Sequence, residues 1–107
     1  MYRIVKQSDA IHRQINSNKS ALNYITKEIT SNFSVATTEG INCDLTETTE
    51  YDRVYFVLSG KLKLIFDLSK KEILLNPNDA VFISKETSYR MIGTFSAVVI
   101  NQPAFGS

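Results

Sequence analysis

One cysteine, Cys43, and one histidine, His12, are all the thiol and imidazole in this chain of 107 residues, and that scarcity restricts its chemistry. A single cysteine forms no internal disulfide, and a single imidazole cannot furnish the nitrogen-rich shell of common zinc sites. Cys43 shares its strand parity with the apolar Ile41 and Leu45, and nothing near it in sequence would lower its pKa, so it reads as a small buried hydrophobe rather than a nucleophile. His12 lies in the polar stretch from Lys6 to Ser20 and reads as a solvated loop residue. Asp44, Glu47, Glu50 and Asp52 are close enough to gather a hard, oxygen-seeking cation, although a solvated acidic turn has the same composition. No glycine loop followed by Lys and Ser or Thr is present to cradle a phosphate. What remains is hydrogen bonding and charge pairing by hydroxyl, phenol and guanidinium side chains.

The elements that must position these residues are short strands. One domain, residues 1–107, accounts for the length. Residues 1–20 are a lead-in strand, Tyr2 to Val5, followed by loop. From Tyr24 onward β-branched and aromatic residues recur in strand-length segments at Tyr24 to Thr30, Phe33 to Thr38, Ile41 to Thr46 and Arg53 to Leu58. Leu62, Leu64, Phe66 and Leu68 alternate with Lys61, Lys63, Ile65 and Asp67, the period of a strand with one buried face. Ile73 to Leu75, Ala80 to Ile83, Tyr89 to Ile92 and Ala97 to Ile100 follow, divided by Ser69-Lys70-Lys71, Asn76-Pro77-Asn78-Asp79 and Gly93-Thr94. Nine or ten strands with no helical period predict an all-β domain, closed as a small barrel or jelly roll so that few edges are left open. Arg53 to Leu58 is apolar on both parities, which places that strand centrally or against a second subunit.

Charge and hydropathy narrow the partners. Twelve Lys plus Arg against eleven Asp plus Glu leave a formal charge of +1, without the basic excess that phosphate backbones demand, so nucleic acid is not expected. Apolar runs reach only four or five residues, where a membrane helix needs ~20, and no signal peptide or lipid anchor is visible. The chain reads as soluble and cytoplasmic.

The stretch from Gly40 to Phe105 resembles the cupins, small double-stranded β-helix barrels of jelly-roll type. Their first motif runs glycine, five residues, His-x-His, three or four residues, Glu, six residues, glycine. The spacing is complete here as Gly40, Thr46, Thr48, Arg53 and Gly60, with both glycines kept and every ligand replaced. The second motif falls on Asn78, Ser84, Glu86, Tyr89 and Gly93; Asn76-Pro77-Asn78-Asp79 followed by Ala80 to Ile83 is similar to the family's turn-and-strand text, with Asn78 in place of a glycine because Asn tolerates positive φ. Tyr51-Asp52-Arg53 and Pro103-Ala104-Phe105 resemble the EutQ-like branch associated with ethanolamine utilisation, which also lacks metal-binding histidines.

The resemblance implies a site inside the barrel. Thr46, Thr48, Arg53 and Tyr89 would stand where cupins hold a metal, and two hydroxyls, a fixed cation and a phenol form a poor shell for one, so no metal or other cofactor is expected. Arg53 in the place of the family glutamate would need an anion, supplied by Asp44, by Glu86 or by a ligand's carboxylate or phosphate. Tyr55, Tyr89 and Met91 share the remaining wall. Thr46 and Thr48 face the interior only if the polar set Asn42, Asp44 and Thr46 does so; otherwise Ile41, Cys43 and Leu45 point inward and the threonines are surface residues. The expected function is metal-independent binding of a small polar or anionic metabolite by Arg53, Tyr55, Tyr89, Thr46, Thr48 and Met91, in a protein expected to form a homodimer and linked by resemblance to ethanolamine utilisation. An EutQ-like enzyme of acyl-phosphate or acetate kinase type, and a non-catalytic dimeric assembly module, are the alternatives.

Overall fold

The computed structural model describes all residues, 1–107. After a 3-10 turn at Gln7–Asp9 come β1 (Ile11–Asn16), β2 (Lys19–Ile25), β3 (Ser34–Thr48), β4 (Asp52–Gly60), β5 (Leu62–Phe66), β6 (Glu72–Leu75), β7 (Ala80–Ile83) and β8 (Ser88–Gln102). All pairings are antiparallel. No helix is long and apolar enough to cross a membrane.

The polar lead-in forms a hairpin instead of a loop: β1 and β2 pair through a tight turn closed at Asn16 and Lys19, where Asn18 N–H donates to Asn16 Oδ1 at 2.7 Å. Side-chain turn chemistry at Asn16-Ser17-Asn18 sets this register without any apolar alternation. His12 is therefore an exposed strand residue, and the segment before the 3-10 turn is not a strand.

Eight strands do the work of the expected nine or ten because β3 and β8 are each long and bent. The first half of β3 lies in one sheet of order β1-β2-β3-β8-β4-β7, while its second half joins the first half of β8, β5 and β6 in the facing sheet. Two strands shared by two sheets make a jelly-roll barrel with few open edges.

The bend in β3 inverts its side-chain parity. Gly40 pairs with Phe95 and Cys43 with Gly93, so Ile41 and Asn42 stand opposite Thr94 alone: a β-bulge, with Asn42 at φ 48° and its N–H bound to Thr94 Oγ1 at 3.0 Å. Before the bulge the even residues Ser34, Ala36 and Thr38 point inward; after it the odd residues Cys43, Leu45 and Glu47 do. Glycine is required where the layers touch: at Gly60, φ 74°, a Cβ would sit 2.2 Å from the Thr94 carbonyl oxygen. Asn78 takes φ 73°, as its substitution for a glycine anticipates.

The closed end of the barrel is solid. Cys43, Val57, Leu62, Leu64, Met91 and Ala97 pack there with almost no exposure. On β4, Arg53, Tyr55 and Val57 face inward, and Phe56 and Leu58 face outward without cover. Leu68 falls in the turn after β5 and is fully exposed.

Candidate functional site

The other end of the barrel interior is polar. Arg53 on β4 is 7% exposed, and its guanidinium is held on two sides: Nε donates to Asn101 Oδ1 at 2.7 Å, and Nη1 donates to Glu47 Oε1 at 2.7 Å and to Tyr89 Oη at 2.8 Å. Glu47 Oε1 also accepts from Tyr89 and, at 3.3 Å, from Tyr55, and the two phenol oxygens are 2.9 Å apart. Three inward side chains, from β4 and β8, thus converge on one carboxylate oxygen of β3.

The internal anion is Glu47, not Asp44 or Glu86. Asp44 lies on the outer face in a bidentate pair with Arg90, at 2.8 and 2.7 Å, and Glu86 occupies an exposed turn at φ 69°. Thr46 and Thr48, expected around the cavity, are exposed outer-face residues; Thr48 Oγ1 meets Ser88 Oγ at 2.6 Å. The bulge is the physical reason, since one extra residue in β3 turns Glu47 inward and both threonines outward. Met91 belongs to the closed apolar end and not to the cavity wall. Arg53, Tyr55 and Tyr89 do stand together, with Arg53 and Tyr55 bordering open space and Tyr89 fully buried behind them.

Open space adjoins this cluster. A cavity of about 70 Å³ lies between β1, β2, the first half of β3 and the ends of β4 and β8, bordered by Arg13, Lys19, Asn23, Glu47, Arg53 and Asn101 among others. One water takes ~30 Å³ of liquid, so the enclosed part suits a head group of a few heavy atoms. At the rim Arg13 stacks over the Phe105 ring at 4.6 Å, and Phe105 packs on Tyr51 with ring centres 5.4 Å apart. The tail is pinned there by Phe105 N–H on Ser34 Oγ at 3.0 Å and Gly106 N–H on Tyr51 Oη at 2.8 Å.

Lys19 is the functional candidate the sequence concealed. It opens β2 beside the Asn-rich turn and points inward with Ala21, and the residue is only 5% exposed. Its Nζ makes no hydrogen bond or ion pair with the protein, while no fully buried side-chain nitrogen or oxygen lacks a partner; the amine therefore borders the cavity. Sequence alternation did not mark it, because Leu22 and Tyr24, two of the three largest apolar residues of β2, occupy the outer parity.

Charge in this cluster is fixed by its geometry. Burial pushes the Lys19 ammonium below the ordinary lysine value; Glu47 opposes that effect and Arg53 adds to it. Burial alone would raise the Glu47 pKa, but the Tyr89 hydroxyl, Lys19 and Arg53 together hold it below the usual carboxylate range. Burial pushes Tyr55 up to about 12 and raises Tyr89 as well, so both phenols stay protonated as donors. Burial opposes the Arg53 charge, yet Tyr55, Tyr89 and Glu47 more than restore it. Cys43, in the closed end, has its thiol pushed up by burial and is not activated.

These residues do not fit a divalent cation. Glu47 is the only carboxylate in the cluster, its Oε1 is engaged by Arg53 and both tyrosines, and two further cations border the space. No three His, Cys, Asp or Glu side chains converge anywhere. Asp52 accepts the Lys85 N–H at 3.0 Å and Glu50 is exposed, so the acidic stretch from Asp44 to Asp52 disperses rather than gathering.

No protein-family model matches the sequence, and no curated protein does. Solved structures do match. An RmlC-like cupin from Shewanella frigidimarina aligns over 99% of this chain and 95% of its own, with TM-score 0.82 and 9% identity. The EutQ protein of Clostridium difficile aligns over 96% and 82%, with TM-score 0.73 and 19% identity. The polyketide cyclase RemF of Streptomyces resistomycificus aligns over 95% and 80%, with TM-score 0.82 and 16% identity. At these identities the likeness is one of fold: the chain is a cupin-fold barrel of RmlC-like type.

Proposed function

We propose that this cupin-fold protein is a metal-independent receptor for a small metabolite carrying an anionic head group, which enters the barrel mouth between Lys19, Arg13 and Arg53. One observation carries this reading: three cationic side chains border a cavity that contains a single carboxylate, and the amine of Lys19, a residue only 5% exposed, opens onto that cavity with no partner in the protein. A buried charge without a counter-ion is unfavourable by several kcal/mol, and a ligand carboxylate or phosphate relieves it. Tyr55 and the Arg53–Glu47 pair form the floor on which the head group rests.

A thermal-shift series with acetate, inorganic phosphate and acetyl phosphate tests the reading on wild type and Lys19→Met. A ligand at ten times its Kd adds about 1.4 kcal/mol, which in a domain of this size raises Tm by about 6–11 °C. The expected result is such a shift in wild type and its loss in the variant; equal shifts in both proteins, or none in either, would overturn it. The likeness to EutQ supports a link to ethanolamine utilisation, and sustained turnover of acetyl phosphate in the same series would replace the receptor by an acyl-phosphate enzyme.

A second copy of the chain is the proposed partner. Val54, Phe56, Leu58, Phe82 and Ile100 share the outer face of the first sheet, with Val54 paired to both Phe82 and Ile100, and Phe82 is 63% exposed. A contiguous apolar face of this kind on a small domain marks an interface.

A further inference from the structure

Lys19 has a capacity that anion binding does not use. An ammonium held only for its charge is served by an ion-pair partner, yet Glu47, the one carboxylate in the cavity, spends Oε1 on Arg53, Tyr55 and Tyr89 and makes no ion pair with Lys19. The lysine is 95% withdrawn from solvent by its 5% exposure, and its nitrogen faces free space too small for anything but a compact group. We propose that Lys19 Nζ forms an imine with a small carbonyl compound, an aldehyde or 2-oxo acid of two or three carbons, whose carboxylate, where it has one, lies toward Arg53 and Arg13. The inference deepens the receptor reading and rests on the same cavity being open to ligand.

The step balances without any oxidant or reductant. The nitrogen lone pair attacks the carbonyl carbon, the carbon–oxygen π pair moves to oxygen, and the oxygen departs as water with the two protons the amine gives up, leaving a carbon–nitrogen double bond. Three features favour it. Burial raises the share of neutral amine at a given pH, against the opposing pull of Glu47 and with help from Arg53 and Arg13; Cys43 and these three are the titratable groups that act on it. The Tyr55 and Tyr89 hydroxyls remain protonated, so they supply donors and do not compete as nucleophiles. Arg53 is held by Asn101 and Glu47 through Nε and Nη1, which leaves Nη2 for a ligand oxygen.

Reductive trapping on the intact chain tests this. Wild-type protein is incubated with pyruvate, or with acetaldehyde, in the presence of cyanoborohydride at neutral pH, and the secondary amine formed by hydride addition to the imine carbon is located by peptide mass spectrometry. Lys19 is expected to label several-fold faster than Lys27, Lys61 or Lys85, and saturating acetate or phosphate is expected to protect it. Lys19→Arg keeps the cation without the nucleophile, so it is expected to lose the label and keep the acetate-induced thermal shift. Labelling spread evenly over the lysines, or an unlabelled Lys19 in a protein that acetate still stabilises, would overturn the imine and leave the receptor standing; an unlabelled Lys19 with no acetate shift would overturn both. Protection of wild-type Lys19 by acetate decides the matter should Lys19→Arg fail to fold.

Discussion

The internal ion pair gives the sharpest quantitative test, as a double-mutant cycle between Glu47→Ala and Arg53→Met. Glu47 Oε1 accepts from Arg53, Tyr55 and Tyr89, and the Arg53 side chain is 8% exposed against 29% for Glu47. Removing one member of a fully buried pair destabilises by ~3–5 kcal/mol, and the partial exposure of Glu47 lets water replace some of that, so about 2–3 kcal/mol is expected for Glu47→Ala. In a domain of this size that lowers Tm by roughly 10–20 °C. Arg53→Met leaves Glu47 beside Lys19 and two phenol donors, and about 2 kcal/mol is expected. The double variant removes both charges together, so its loss should be near 3 kcal/mol rather than the sum, a coupling of about 1–2 kcal/mol measurable by urea unfolding. Acetate adds a second reading, since its carboxylate can take the vacated place beside Arg53, and it should raise the Tm of Glu47→Ala more than that of wild type. Single losses that add to within ~0.5 kcal/mol, with no acetate rescue, would refute the claim that Arg53 is held by a buried anion.

Two further outcomes follow from the same geometry. The folded-state pKa of Glu47 lies below its unfolded value, so its contribution is complete above the ordinary carboxylate pKa, ~4.3, and is lost as pH falls through the lower folded value; Glu47→Gln should flatten that acid limb in pH-dependent urea melts. Lys19 has the reverse sign. Its folded pKa is lowered, the unfolded chain binds the extra proton, and stability should rise with pH between the folded value and ~10.4, a rise that Lys19→Met should abolish while raising Tm at neutral pH in the absence of ligand. For the outer apolar face, Phe56→Glu with Phe82→Glu should convert a dimer into a monomer in sedimentation at micromolar concentration without unfolding it, and an unchanged sedimentation coefficient would remove that face from the interface.

Strand content was legible because it is local. Alternation at Leu62 and Leu64 and the turn residues around Asn78 act over a few residues, and both are where the pattern puts them. The count was too high because Glu39-Gly40 and Gly93-Thr94 look like breaks, while in the folded chain β3 and β8 run through them as single bent strands. A bend and a turn use the same residues; only the partner strand distinguishes them, and the partner lies some fifty positions away. The β1–β2 hairpin was missed for the opposite reason, since its register comes from Asn side chains and its inward residue is a lysine.

The site depended on a single inserted residue. Had β3 run without its bulge, the inward parity of Ser34, Ala36 and Thr38 would have continued to Thr46 and Thr48, giving the neutral wall that the motif spacing suggested. The bulge replaces that wall with Glu47, and so the guanidinium that motif spacing put in the place of a metal-binding glutamate meets a glutamate from the neighbouring sheet. Apolar parity contained the signal, in Cys43 and Leu45 set against Asp44 and Thr46, and the left-handed φ that Asn42 adopts is what makes the inversion affordable. With Glu47 neutralising Arg53 from within, the buried cationic residue left in the cavity without an ion-pair partner is Lys19. The proposed chemistry therefore turns on an amine that the motif does not contain, on β2 directly across from Gly40, where the motif that resembles a metal site begins.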